Sequence, residues 1–220
     1  MRPRHLRQLD KGPPQRPDIV AIGASAGGVE AVLSLLERFP ANFPAAVLVV
    51  VHRPVETASR LYHILSRSIK LPILIAEEGQ VLKKGLCLIG EPNRHLTVDA
   101  NLRVHMLPDS FYRTHNIDAL LCSLAGHAAA RTIGVVLTGL RKDGALGLRT
   151  IKEAGGMALV QSPKEAAYAE MPESAIEAAG EVDLIAPIDV LVRKICELVG
   201  EAAPAGLRTA AEGARNRVAE

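Results

Sequence analysis

The stretch DIVAIGASAGG, residues 18–28, decides how this chain begins to fold. Its first half, Ile19–Gly23, is an apolar and largely β-branched run. The glycine-rich second half leads directly into Val29–Arg38, which has the pattern of a helix. The G-x-S-x-G spacing centred on Ser25 is that of a nucleophile elbow, a strand-to-helix turn that lifts a serine hydroxyl off the edge of a sheet. Glycines in such a turn permit positive φ angles and the close approach of other groups.

Two other interpretations of this turn stay open from the turn alone. Its glycines also resemble a degraded dinucleotide-binding fingerprint, which holds a pyrophosphate at a helix N-terminus and expects an acidic residue about 20 residues further on. Here the next apolar strand ends in His52-Arg53-Pro54, and no acidic residue follows it before Glu56. Alternatively, Ser25 only caps the N-terminus of the helix.

Apolar runs and helical segments alternate along the chain. The predicted strands are Ile19–Gly23, Ala45–His52, Leu71–Ala76, Thr132–Thr138 and Met157–Gln161. The predicted helices are Val29–Arg38, Thr57–Ser66, Leu146–Ala154, Lys164–Tyr168, Pro172–Ala179 and Val190–Val199. Because the strands are apolar on both faces and helices separate them, we expect an α/β fold with a doubly wound, mostly parallel sheet and helices on both faces.

Residues 79–107 interrupt this alternation. Turn residues there separate four short apolar runs: Val81–Leu82, Leu86–Ile89, His95–Val98 and Leu102–Val104. Short strands joined by such turns predict an insertion of one or two antiparallel hairpins, near the middle of the chain and at an edge of the sheet.

Composition and charge exclude two classes of partner. The chain has 220 residues, enough for one full core, with three Phe, three Tyr and no Trp. It therefore offers no aromatic platform for nucleic-acid bases. Residues 18–200 carry 18 basic and 20 acidic side chains, so we expect no nucleic-acid partner. The longest apolar run, Phe43–Val51, is too short to span a bilayer, and we expect no membrane insertion.

The two ends of the chain differ from its centre. Residues 1–17 hold five basic residues and four prolines but no apolar segment of a secretory signal, which predicts a disordered basic leader. Residues 18–200 form the predicted folded domain, and residues 201–220 a flexible or frayed helical tail. Three widely spaced cysteines, Cys87, Cys122 and Cys196, indicate buried thiols of a cytoplasmic protein rather than a disulfide framework or a zinc site.

Three candidate catalytic residues follow the C-terminal ends of predicted strands, where ligand sites form in doubly wound sheets. Ser25 follows the first strand, His52 ends the second, and Asp143 lies in the turn after Thr132–Thr138. Acyl transfer needs a hydroxyl nucleophile, an imidazole that carries its proton and a carboxylate that orients the imidazole. Taken singly, His52 suits a surface position and Asp143 a helix cap. Together they favour a Ser-His-Asp triad, and no His/Asp/Glu cluster has the spacing of a metal site.

Several segments resemble the signature blocks of the CheB-type protein-glutamate methylesterases of bacterial chemotaxis. The three main blocks are GASAGG (residues 23–28), VHRP (51–54) and LTGLRKDGA (137–145). EPNRHL (91–96) is similar to a hairpin segment of that family, and AGG (154–156) and MPESA (171–175) are similar to its later landmarks. The blocks occur in order from about Asp18 to about Val199, so the resemblance identifies residues 18–200 as a methylesterase catalytic domain.

The resemblance implies a role for each of the three candidates. Ser25 would be the nucleophile, His52 the general base and acid, and Asp143 the orienting carboxylate. The family removes methyl groups from γ-glutamyl methyl esters on the cytoplasmic helices of chemoreceptors, and many members also deamidate glutamines. It implies no cofactor, a methyl-accepting chemoreceptor as the substrate and chemosensory coupling proteins as further partners.

Four more residues are candidates for contact with the reacting group or the substrate. The backbone N–H groups of Ala26 and Leu140 are the expected oxyanion hole. Arg53 and Met171 belong to the matching blocks and are candidates for substrate contact.

Departures from the family pattern concentrate in the third block. The usual Gly-Met-Gly-x-Asp-Gly is GLRKDG at residues 139–144, so Arg141 replaces a glycine beside the expected oxyanion hole. Arg141 or Lys142 would then compete with His52 for Asp143. This motivates an alternative, a catalytically weak paralogue that acts as a chemosensory binding module.

Three further segments differ from the family. Its Arg-Pro-Ser-x-Asp motif is degenerate at residues 113–118, and its Gly-Met-Pro is Glu170-Met171-Pro172 here, which would reshape the substrate groove. Residues 1–17 are too few for the phosphoryl-receiver domain that most members carry, so we expect no regulation by such a domain in cis.

Overall fold

The computed structural model describes residues 18–52, 58–108 and 115–204. The strands are β1 (Ile19–Ala24), β2 (Ala46–Val51), β3 (Ile73–Ile75), β4 (Cys87–Ile89), β5 (Arg94–Val98), β6 (Val104–Pro108), β7 (Thr132–Val136), β8 (Met157–Gln161) and β9 (Leu184–Ala186). The helices are α1 (Gly28–Leu36), α2 (Ala58–Ser68), α3 (Asn116–Ala128), α4 (Ala145–Glu153), α5 (Glu170–Ala179) and α6 (Ile188–Val199), with a 3₁₀ turn at Ala129–Arg131.

Seven of the strands form one parallel sheet in the order β3-β4-β2-β1-β7-β8-β9. One apolar core lies between the sheet and helices α1, α2 and α6. A second core lies on the opposite face, where α3, α4 and α5 pack. Every residue of β1 and β2 is buried, because helices cover both faces of these central strands. The predicted doubly wound α/β fold is confirmed.

The insertion near the middle of the chain is partly as predicted. β5 and β6 pair antiparallel, from Arg94 opposite Pro108 to Val98 opposite Val104. They form a separate two-stranded sheet, so the prediction that the hairpin lies at an edge of the main sheet is wrong. The Leu86–Ile89 run is not part of a hairpin, because β4 pairs parallel with β2 on one side and β3 on the other. A three-residue strand that is buried throughout has no alternation to reveal its partners.

Three further elements differ from the sequence prediction. Helix α3 was not predicted, although Ile117, Leu120, Leu121 and Leu124 have the i, i+3, i+4, i+7 spacing of a helix face and are all buried. The short strand β9 was also missed. The predicted helix Lys164–Tyr168 is wrong: residues 163–165 form only a turn.

The central strands bring three chain segments to one edge of the sheet. Ala24 lies beside Val51, and Gly23 beside Val136, so the residues that follow β1, β2 and β7 are neighbours at the C-terminal edge. The predicted leader (residues 1–17) and residues 205–220 of the predicted tail lie outside the described residues. Among the helices that the structure describes, none has the length and apolar character needed to cross a membrane.

Candidate active site

The turn after β1 holds Ser25 between the neighbouring strands. The Ser25 N–H donates to the Thr138 carbonyl at 3.0 Å, and the His52 N–H donates to the Ala24 carbonyl at 3.0 Å. Gly27 has a φ of 69°, a left-handed conformation that favours glycine, and is the N-cap of α1. Ser25 therefore does not cap the helix, and this interpretation of the turn is wrong.

Gly139 lies against the side chain of Ser25. A Cβ atom on Gly139 would be 2.8 Å from Ser25 Cβ and 2.8 Å from the sulfur of Met171, closer than real Cβ contacts. Glycine is therefore required where β7 leads into the loop before α4. Met171 is completely buried, so in this structure it supports the turn and does not line open space.

The space beside Gly27 bears on the dinucleotide interpretation. A Cβ atom there would meet Ala167 Cβ at 3.0 Å and the Tyr168 ring at 3.4 Å. Because side chains of this chain cover that part of the turn, it does not present the open glycine surface that a pyrophosphate needs.

His52 and Asp143 form the clearest pair at this edge. His52 Nε2 lies 3.0 Å from Asp143 Oδ2, and the Asp143 side chain is 2% exposed. The backbone N–H of Ile117 donates to Oδ2 at 3.0 Å, and that of Asp118 donates to Oδ1 at 2.9 Å. The carboxylate thus sits on the first turn of α3, where the helix dipole favours negative charge. It does not cap α4, whose N-cap is Gly144.

A second carboxylate lies behind this pair. Asp118 Oδ1 accepts the Gly147 N–H at 2.7 Å, and Oδ2 lies 3.3 Å from His115 Nδ1. Burial raises the pKa of Asp118 above its ordinary value; the hydrogen bond from Gly147 opposes that shift, and the charge of Asp143 adds to it. Asp118 thereby joins the first turn of α3 to α4, on either side of Asp143. Sequence reasoning missed this role, although the degenerate family motif at residues 113–118 contains Asp118.

His115, Asp118 and Asp143 also have the spacing of a cation site, with ligand atoms all within 4.8 Å of one another. All four carboxylate oxygens, however, already accept backbone N–H groups or contact an imidazole. We therefore assign no metal to this cluster.

Arg141 and Lys142, the two cations of residues 139–144, do not pair with the Asp143 carboxylate. Arg141 and Lys142 are exposed, and within the described ranges neither makes an ion pair or hydrogen bond with Asp143. The expectation that they compete with His52 is wrong for this structure. Arg141 has a φ of 68°, so a side chain stands where the backbone conformation favours glycine.

The Ser25 hydroxyl and the His52 imidazole are the next pair of groups in the site. Across the part of the chain that the structure describes, no hydrogen bond links Ser25 Oγ to His52. Because Asp143 occupies Nε2, the free imidazole nitrogen is Nδ1, which is the atom available to a serine hydroxyl. Such contacts are often long in the free enzyme and shorten when substrate binds.

The other candidates have different positions. The N–H groups of Ala26 and Leu140 donate to no acceptor among the described residues, and the Leu140 side chain is 45% exposed. Arg53 lies outside the described residues. Tyr168, which sequence reasoning missed, is 45% exposed and accepts a hydrogen bond from the Gly139 N–H through its carbonyl.

The structure also has a groove that Ser25 does not line, and three free cysteines. The groove, about 790 Å³, is lined by residues of α3, α4, α5, the loop before α4 and the β5–β6 hairpin, and its described lining includes neither Ser25 nor His52. Cys87 and Cys196 are buried as predicted, whereas Cys122 is only half-buried. Burial raises the pKa of each thiol, to about 11 for Cys196, so a thiolate nucleophile is disfavoured.

The sequence model of the CheB methylesterase family matches residues 20–195, most of the chain. The chain belongs to the CheB methylesterase family. A solved CheB methylesterase catalytic domain, from Thermotoga maritima, superposes with a TM-score of 0.77 at 31% identity, covering 84% of this chain and all of that one. The α/β sheet with a separate hairpin is thus the CheB catalytic-domain fold.

Curated relatives of this CheB-family chain carry one name, protein-glutamate methylesterase/protein-glutamine glutaminase. The Moorella thermoacetica protein is 33% identical over 195 residues, covering 85% of this chain and 46% of that protein. A putative member from Leptospira interrogans is 34% identical over 183 residues, covering 82% of this chain and 92% of that protein. The chain spans about half the length of several curated relatives that it matches.

Proposed function

We propose that this chain is a serine hydrolase that removes methyl groups from γ-glutamyl methyl esters on chemoreceptor cytoplasmic helices. The observation that carries the proposal is the 3.0 Å contact between His52 and Asp143, beside the turn that holds Ser25. An imidazole bonded to a buried carboxylate, next to a serine on a tight strand-to-helix turn, suits acyl transfer. The names of the relatives and the family match support this substrate class.

The proposed reaction uses Ser25 and His52 in turn. Ser25 Oγ attacks the γ-carbonyl carbon of the ester while its proton passes to His52 Nδ1. When the tetrahedral adduct collapses, the bond to the methoxy oxygen breaks, and methanol leaves with the proton from His52. Water then attacks the acyl-enzyme and gives a proton to His52, which returns it to Ser25 as the glutamate carboxylate is released.

Asp143 serves this cycle without changing its own charge. Its Oδ2 holds the Nε2–H of His52, which keeps the lone pair of Nδ1 directed away from the carboxylate and stabilises the imidazolium. The two N–H groups of α3 hold the Asp143 carboxylate in turn, so the carboxylate cannot rotate away when His52 becomes charged.

Stabilisation of the oxyanion falls to backbone groups. The N–H groups of Ala26 and Leu140, which have no acceptor among the described residues, follow Ser25 and Gly139, which lie close together. Each oxyanion donor typically lowers the activation barrier by on the order of 3 kcal/mol. The same residues would deamidate a glutamine, with ammonia leaving in place of methanol. The names of the relatives include this second activity, protein-glutamine glutaminase.

The alternative is a weak paralogue that binds chemosensory partners, including coupling proteins, through the same surface. Arg141 favours this alternative, because it follows Leu140 in the loop and has a positive φ, a conformation that favours glycine. A displaced Leu140 N–H would slow the first step of the reaction and leave binding intact.

A fluorophosphonate probe followed by an ester assay tests these alternatives. We expect the probe to label the wild type and the control Ser66→Ala, which removes an exposed hydroxyl on α2, but not Ser25→Ala. Equal labelling of Ser25→Ala would overturn the assignment. Labelling of Arg141→Gly but not of the wild type would favour the weak paralogue. Methanol release from a methylated receptor fragment then establishes the substrate.

A further inference from the structure

Two residues with exposed apolar side chains are neighbours of Gly139, the glycine that lies against the turn that holds Ser25. Among the described residues, eight large apolar side chains are exposed, and two of them, Leu140 and Tyr168, are each 45% exposed beside Gly139. Leu140 follows Gly139 in the chain, and the Tyr168 carbonyl accepts the Gly139 N–H at 3.0 Å. Because Gly139 lies against Ser25, Leu140 and Tyr168 each adjoin a residue that contacts the proposed nucleophile.

Tyr168 is held firmly although it lies outside any helix. Its N–H donates to Thr138 Oγ1 at 2.9 Å, and Thr138 Oγ1 lies 3.2 Å from its carbonyl oxygen. Its ring lies 3.4 Å from the position of a Cβ atom on Gly27. An exposed aromatic ring on a backbone that is already ordered loses little entropy on binding, which is the property of an interface anchor.

The surroundings of this pair indicate what it binds. Arg141 and Lys142 follow Leu140 in the chain and are exposed, so the positive charge lies at the Leu140 end of the pair, whereas the exposed Glu170 follows Tyr168. A polypeptide that presents an apolar side chain and a carboxylate near the reacting ester complements this surface. On a helix, those side chains lie three or four residues from the esterified glutamate.

We propose that Leu140 and Tyr168 form a docking surface for the protein substrate, which binds an apolar side chain about one helical turn from the esterified glutamate. The inference rests on the proposed methylesterase function and adds a recognition element to it. Its occupant is the substrate segment itself, because the surface is continuous with the turn that holds Ser25. A small ester lacks the second contact, so the surface selects protein substrates.

The first test compares two substrates. For a methylated receptor fragment and for a small ester, N-acetylglutamate γ-methyl ester, kcat/KM is measured in the wild type, Tyr168→Ser and Tyr168→Phe. We expect the ratio of fragment to small-ester kcat/KM to fall about tenfold in Tyr168→Ser, through KM, and to be largely retained in Tyr168→Phe. Ile185→Ser, an equally exposed side chain on β9, is the matched control and keeps the ratio. An unchanged ratio in Tyr168→Ser overturns the docking surface.

The second test does not need turnover. The esterified fragment is titrated into Ser25→Ala with and without Tyr168→Ser, and again after the apolar residue one turn from the ester is changed to Ser. We expect about tenfold weaker binding from either change and little further loss from both together, because the two side chains contact each other. Additive losses, or no binding at all, contradict the docking surface. Binding that depends on Tyr168 without turnover in the wild type contradicts only the methylesterase proposal.

Discussion

The backbone N–H of Asp118 donates a 2.9 Å hydrogen bond to Oδ1 of Asp143, so the carboxylate beside His52 rests on α3, a helix that begins 27 residues earlier in the chain. The Asp118 side chain in turn accepts the Gly147 N–H of α4. The two aspartates thus hold the loop before α4 from both sides. The position of the carboxylate beside His52 therefore depends on how α3 packs against α4.

Asp143→Asn tests whether this carboxylate acts on His52. The amide keeps an acceptor for α3 but can present N–H to Nε2, which favours the wrong tautomer, so we expect turnover to fall on the order of 10³- to 10⁴-fold. Asp99→Asn is a matched control, because Asp99 Oδ1 also accepts two backbone N–H groups, in the β5–β6 turn. Rates are measured by methanol release. A loss of less than tenfold in Asp143→Asn would remove Asp143 from the proposed mechanism.

Gly139→Ala tests the close approach at the turn that holds Ser25. The added Cβ would lie 2.8 Å from Ser25 Cβ and Met171, so we expect a loss of about 1–3 kcal/mol in the free energy of unfolding and slower labelling of Ser25. Gly126→Ala is the control, since nothing lies within 4 Å of a Cβ there and the site is inside α3. That variant should gain about 0.5–1 kcal/mol. Urea unfolding measures both, and equal effects would contradict the contact.

Arg141→Gly tests the strained position in the altered block. A left-handed residue with a Cβ costs about 1–2 kcal/mol, and the extra chain entropy of glycine offsets part of this, so we expect a net gain of about 0.5 kcal/mol. Lys142 has no positive φ, so Lys142→Gly should lose stability instead. Thermal unfolding at several denaturant concentrations resolves the difference. Destabilisation by both variants would show that Arg141 makes contacts that outweigh its strain.

Asp118→Asn tests the raised pKa of the second carboxylate. Because the pKa of Asp118 is raised, the folded protein binds a proton at this carboxylate more tightly than the unfolded chain does. Proton binding therefore stabilises the folded protein fully below the ordinary pKa of about 4, and this stabilisation is lost as the pH rises through the raised pKa. Asparagine does not titrate. We therefore expect the wild type to lose stability relative to the variant as the pH rises from about 4 towards neutral.

The measurement is urea unfolding of both proteins at several pH values across that range. The difference in unfolding free energy is the relevant quantity, because the carboxyl groups that do not interact with Asp118 titrate alike in both. Asn can still accept the Gly147 N–H, so the contact between α3 and α4 is retained. A difference that does not change with pH would contradict the raised pKa.

Long buried strands were predictable because their chemistry is local. β1, β2 and β7 are continuous apolar runs followed by turn residues, and parallel strands covered on both faces have this pattern. The C-terminal edge of the sheet was therefore predictable as the meeting point of Ser25, His52 and Asp143. Their catalytic roles remain predictions.

Short elements and their partners were not predictable in the same way. β4 has three residues, and nothing in Cys87–Ile89 indicates whether it joins a hairpin or the main sheet. The α3 spacing was present in the sequence and was overlooked. The turn at residues 163–165 replaced a predicted helix. In the loop that follows, the Tyr168 N–H donates to Thr138 Oγ1 and the Tyr168 carbonyl accepts the Gly139 N–H.

The local pattern of the chain was thus sufficient for the fold class, the strand-to-helix turn at Ser25 and the edge at which the candidate residues meet. Tertiary packing decided which groups surround them. The partners of Asp143 on α3 lie 25 and 26 residues away, and Tyr168 is 30 residues from Thr138. Contacts at such separations depend on how helices and loops dock on the sheet, and no periodicity within one segment encodes that arrangement.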